Sequence, residues 1–184
     1  MKKTKQEKEK KSASHNRWPL TAFLMAMALS AILTLASESM LDGAGMAIAL
    51  LILLLFIGLG ILFDILGTAV VSADTKPFHS MAAHKEKGAK QALALLRNAD
   101  RVSSVCNDVV GDICGIVSGA TGAVIVTQLQ NNLNLRSVLI SVGVTALISG
   151  MTIGGKAIGK PFAMKQSTRV VYLAGRILYF FRRR

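Results

Sequence analysis

The chain alternates between long apolar runs and short, strongly basic segments, and the run lengths fix the first set of elements. Residues 1–17 are almost wholly polar and carry Lys2, Lys3, Lys5, Lys8, Lys10, Lys11 and Arg17. Such a segment cannot bury a core and is expected to be an unstructured basic tail. Apolar character starts at Trp18 and persists to about Ser37 without an internal charge. This run is longer than the roughly 7 to 15 residues of a signal-peptide core, so an uncleaved membrane anchor is preferred over a cleaved leader. Residues 43–63, GAGMAIALLILLLFIGLGILF, have no charged or hydroxyl side chain, and about 20 such residues match a hydrocarbon layer of about 30 Å. The pattern predicts an all-α integral membrane protein with four transmembrane helices: an extra N-terminal one over 18–38, then spans over about 46–73, 102–127 and 137–157. The last three belong to one domain, 43–184. Spans three and four are rich in Gly, Ser and Thr, which suits close helix packing.

Between and after the spans, two segments read as amphipathic helices lying along the cytosolic membrane surface, over 76–101 and 161–184. In AKQALALLRNADR, Ala92, Leu95 and Leu96 share a face while Lys90, Gln91 and Arg97 fall elsewhere. The C-terminal RVVYLAGRILYFFRRR is too short to span, and its arginines and aromatics suit the headgroup level.

Composition then sharpens the picture. The 184 residues are 52% apolar and 17% charged, oilier than a soluble domain. Of the 22 basic residues, seven precede span one, six lie in 74–101, eight follow from 156 onward, and only Arg136 falls between spans three and four. That asymmetry puts the first three segments, and both termini, in the cytosol. The expected setting is the cell membrane of a bacterium. The connectors SESMLDGAG and QLQNNLNLR then face outward. A net charge of +12 distributed in this way needs no nucleic acid, and lipids are the expected partners. Cys106 and Cys114, eight residues apart in one apolar run, read as small reduced core residues. Neither a Walker loop nor HExxH nor a nucleophile with a base at readable spacing occurs, so an enzyme is not expected. His15, His79 and His84 are too scattered for a histidine metal site.

Three carboxylates interrupt the spans: Asp64, Asp108 and Asp112. An ionised side chain at mid-bilayer costs about 2.5 to 3.5 kcal/mol even on the lenient insertion scale, so each needs a partner, a proton or an ion. Asp64 stands ten residues before Asp74 and Asp112 eleven after Arg101, each roughly 15 Å from the cytosolic end. At 100° per residue, Asp108, Asp112, Gly115, Gly119 and Gly122 share one face of span three, opposite Val109, Ile113 and Val117. In span four Ser141, Thr145, Ser149, Thr152 and Lys156 form a stripe. Hard cations such as Mg²⁺ take oxygen ligands, and Asp64, Thr68, Asn107, Asp108, Asp112, Ser149 and Thr152 are the candidate set, with Lys156 as an internal counter-charge. The competing reading is a structural polar core in which Asp108 and Asp112 pair with Lys156 and the hydroxyls bond back to their own helix.

From Asp64 to Phe181 the order of features resembles the transmembrane domain of the CorC/CNNM family, CorB-like proteins associated with magnesium transport. The segment Gly88–Arg101, GAKQALALLRNADR, is similar to the family's G-A-K-x-A-L-x-L-L-x-x-x-D-R. GTAVVSAD, Gly67–Asp74, looks like E-T-A-L-x-S-x-D, and GKAIGK, Gly155–Lys160, looks like G-E-x-x-P-K. Asn107 stands where the family has an Asn-containing stretch. The resemblance implies a three-helix core with a juxtamembrane belt, a homodimer, and Mg²⁺ held in the membrane. The chain departs from the pattern at both glutamates, replaced by Gly67 and Lys156, and at a proline, replaced by Gly159. It also stops at Arg184, before the family's cytosolic regulatory domains. The resulting expectation is a protein that binds or transports a divalent cation at an intramembrane acidic site. The alternative is a non-transporting membrane protein whose basic cytosolic face recruits a protein partner or anionic lipid; a lysis-type pore is weaker still, because pores rarely need matched buried charges.

Overall fold

The computed structural model describes residues 2–41, 45–133 and 138–182, with side chains over 19–41, 45–132 and 138–181. Among the described residues all regular structure is helical: α1 (Lys2–Leu41), α2 (Met46–Ser72), α3 (Lys76–Ala83), α4 (Ala89–Arg97), α5 (Ala99–Ser104), a π-helical turn (Val105–Gly111), α6 (Asp112–Leu133), α7 (Val138–Lys165) and α8 (Ser167–Arg182). Four segments are long and apolar enough to cross a membrane: Pro19–Leu41, Met46–Ser72, Ala99–Asn132 and Val138–Lys165. The third is a single rod in which α5, the π-helical turn and α6 follow one another without a break. Parts of both expected outer connectors, including Arg136, lie outside the described residues.

Two boundaries differ from the sequence reading. The basic segment 1–17, expected to be unstructured, is helical from Lys2, as a run of good helix formers (Lys, Glu, Gln) allows. Pro19 sits inside this helix and removes the hydrogen bond to the His15 carbonyl. The fourth span does not give way to a surface helix at residue 161. It runs through Pro161 to Lys165, and the surface helix α8 begins only at Ser167. Gly159, standing where the family pattern has proline, keeps the helical amide that a proline would remove.

Helix α2 is the axis of the molecule. Its N-terminal half, with Ala49, Ile52, Leu53, Phe56 and Ile57, packs with Val109, Ile113, Cys114 and Val117 of the third span and Ile148 of α7. Its C-terminal half carries Ala69 and Val70 into a second cluster with Phe78 of α3, Ala92 and Leu96 of α4, Ala163 of α7 and Val171 of α8. Small residues set the helix spacing. A Cβ on Gly155 or Gly159 would strike Ile61 and Ile65 of α2, and one on Gly122 would strike Ile148. This is the close approach that stabilises helix pairs in lipid. Helix α1 is largely exposed and meets the bundle through Leu41, which is buried, and Ser37, whose hydroxyl lies 3.4 Å from that of Thr121.

The three short helices form a layer at one end. α4 buries Ala89, Ala92 and Leu96 and exposes Lys90 and Arg97. α8 buries Val171 and Gly175 and exposes Leu173, Ile177, Phe180 and Phe181. The two helices meet glycine to glycine: a Cβ on Gly175 would stand 2.6 Å from the Gly88 carbonyl oxygen, and Gly88 itself has φ +94°. A residue with a side chain rarely adopts that backbone.

Candidate functional site

The candidate residues do not gather at one point. Asp64 is 5% exposed, whereas Asp108 and Asp112 are both exposed. The sequence reading grouped the two carboxylates of span three correctly on one face, but that face does not turn toward α2. The opposite, apolar face of Val109, Ile113 and Val117 packs there. In a bilayer the oily ridge finds its best van der Waals partners on another helix, and burial alone does not draw polar groups inward. Asp108 accepts a 2.9 Å hydrogen bond from the Ser104 hydroxyl of its own rod.

The stripe on α7 meets the glycine side of span three. Thr145, Ser149 and Thr152 line a groove of about 200 Å³ with Gly115, Gly119 and Gly122. Thr152 Oγ1 donates to the Ile148 carbonyl at 2.9 Å, the back-bonding that also satisfies Ser118 and Thr121 on α6. Ser149 and Thr152 are therefore placed away from Asp64. Thr68 is half-buried on the same helix as Asp64.

What does come together is Asp64 and Asn107. Gly60, Asp64 and Gly67 recur at helical spacing along one buried face of α2. A Cβ on Gly60 would lie 3.2 Å from Cys114 Cβ and 3.7 Å from the Gly111 carbonyl oxygen, and a Cβ on Gly67 would fall into the Asn107 amide. Asp64, between those glycines, faces the π-helical turn. The absent side chain at Gly67 is the space that Asn107 occupies. Positions three apart on a helix have Cβ atoms about 5–6 Å apart, so carboxylate and amide are neighbours across the interface. Asn107 Nδ2 donates to Ser103 Oγ at 3.4 Å, which turns the amide oxygen the other way. Asp64 Oδ2 and Asn107 Oδ1 are both buried with no hydrogen-bond partner. Orphaned buried acceptors are rare and costly. Both are hard oxygen donors of the kind Mg²⁺ accepts, and Mg²⁺ commonly keeps several waters beside one or two protein oxygens.

Lys156 is half-buried, and its ammonium lies 3.6 Å from the point where a Cβ on Gly111 would stand. The competing reading pairs Asp108 and Asp112 with Lys156; both carboxylates are exposed, and Asp108 accepts from the Ser104 hydroxyl instead. No group of three or more His, Cys, Asp or Glu side chains that could hold a metal occurs among the described residues, and Cys106 and Cys114 are buried and free.

Sequence reasoning missed the π-helical turn. A turn bonded i→i+5 carries one more residue than an α turn, and such turns recur at functional sites. No residue pattern marks it in Val105–Gly111. The role of Gly67 was legible only as the loss of a family glutamate.

Four apolar spans and a helical layer at one end define a multi-pass integral membrane protein. The family is narrower: the model of the Cyclin M transmembrane N-terminal domain (CNNM) matches residues 50–183, and the chain belongs to that family. Membership ties it to metal transport in general terms. No curated protein and no solved structure matches the chain.

Proposed function

We propose that the chain binds a divalent cation, Mg²⁺ by preference, inside the membrane between Asp64 and Asn107, and takes part in its passage across the bilayer. The observation that supports this reading is the pair of buried oxygens with no partner, contributed by two different spans. A cation there would replace the donors both oxygens lack and offset the cost of a carboxylate in the apolar layer. The basic segments favour a cytosolic setting for the short-helix layer and both termini, so Asp64, about two turns from the end of α2, would exchange ions with that side.

Asp108 and Asp112 are exposed on the same span. Charged groups in membranes almost always face protein or water. A second copy of the chain is the partner that reading calls for.

The test is Mg²⁺-dependent thermal stabilisation of the purified protein, with Mg²⁺ flux in vesicles as the second readout. Asp64→Asn should abolish both while leaving a cooperative unfolding transition. Equal Mg²⁺ responses in wild type and Asp64→Asn would overturn the site.

A further inference from the structure

Resting on that reading, we infer that Lys156 is the fixed counter-charge of the Asp64–Asn107 site: a positive charge built into α7 at the depth of Asp64, acting through space to keep cation binding weak and reversible. Three observations carry it. The first is depth. Gly155 faces Ile61 and Gly159 faces Ile65 across the α2–α7 contact, which puts Lys156 level with the turn of α2 that contains Asp64. The second is direction. The ammonium points at Gly111, the residue whose carbonyl also lies beside Gly60, one turn from Asp64. Both charges therefore border the same short stretch of the π-helical turn. The third is that Asp64 Oδ2 has no partner, while the other two span acids are exposed and Asp108 is engaged by the Ser104 hydroxyl.

In a medium of low dielectric a charge acts over distances at which water would silence it. One carboxylate and one ammonium at the same depth sum to zero, so the empty site carries no net charge. A divalent cation entering beside Asp64 meets the repulsion of the lysine, which lowers its affinity and speeds its departure. The device suits a site that must release its ion, and a single acid without the lysine would hold the ion longer.

The experiment uses the full chain in detergent with Mg²⁺ as the probe. Calorimetric titration should show Lys156→Gln binding Mg²⁺ about tenfold tighter than wild type or more, because a full unit charge is removed from a poorly screened site. Lys156→Arg, which keeps the charge, should stay near wild type. A metal-free double-mutant cycle of Asp64→Asn and Lys156→Gln supplies a readout independent of metal: the two substitutions should be coupled in thermal stability. Unchanged or weaker Mg²⁺ binding by Lys156→Gln, with wild type binding, overturns the lysine's role and leaves the Asp64 site standing. Additive stabilities overturn it as well. Coupled stabilities with no Mg²⁺ binding by any form would show a plain structural charge pair, and would overturn the cation site and this inference together.

Discussion

Gly67→Ala puts the packing of Asn107 against α2 to a test whose sign is set by the structure. In an open helix interior, alanine is more favourable than glycine by about 1 kcal/mol, so without an obstacle the variant would gain stability. Here the added methyl falls into the Asn107 amide, and overpacking of a filled interface costs about 1–3 kcal/mol. Net of the propensity gain, up to about 2 kcal/mol is lost; for a chain of this size each kcal/mol moves the midpoint by roughly 2–4 °C, so a fall of up to about 8 °C is expected. Asn107→Ala alone should be milder, since it removes one orphaned acceptor along with its packing. The decisive form is the double variant Gly67→Ala/Asn107→Ala. Deleting the amide vacates the volume that the new methyl needs, so the double variant should be more stable than Gly67→Ala alone, with an interaction of about 1 kcal/mol or more. The Mg²⁺-induced shift should stay absent in all three, which separates repair of the fold from repair of the site. The assay is thermal unfolding in detergent with and without Mg²⁺. A double variant no more stable than Gly67→Ala would mean that Asn107 does not fill that space, and the geometry of the site would fall with it.

Other substitutions probe the rest of the molecule. Gly175→Ala drives a Cβ to 2.6 Å from the Gly88 carbonyl oxygen and 2.8 Å from the Ala92 Cβ; it should part α4 from α8 and lower the melting midpoint, while Ala174→Gly next to it should cost only about 1 kcal/mol of helix propensity. Phe78→Ala empties a fully buried ring position and should cost about 3–5 kcal/mol by chemical denaturation. The double substitution Asp108→Asn/Asp112→Asn should leave Mg²⁺ affinity within a few-fold of wild type, because neither side chain is buried with Asp64, yet alter self-association measured by light scattering in detergent. A large loss of affinity would return those carboxylates to the cation site.

The spans were legible because hydrocarbon thickness imposes a length, and the uncharged run over 43–63 follows that rule closely. The short helices were legible where glycine and proline punctuate them, as at Pro77 and Gly88. The facing of span three was not. Asp108, Asp112 and the glycines do form one stripe, as a 100° rotation requires, but polarity does not say whether a stripe turns to the bundle or to a second chain. The π-helical turn added a residue of rotation that no side-chain pattern announces. Asn107 stands out in the sequence through kinship and Asp64 through cost, and only the structure shows both to be buried acceptors without partners while Ser149 and Thr152 line a separate groove.

Helix α7 runs 28 residues without interruption, about 42 Å at 1.5 Å per residue, well beyond the thickness of the apolar layer. Its last turns therefore extend past an apolar layer of about 30 Å, with Ala163 seated among α3, α4 and α8. Lys156 and Lys165 are nine residues apart on this rod, about 13 Å, so a tilt of a few degrees at one displaces the other by only about 1 Å, and α7 joins the bundle to the short helices as a strut.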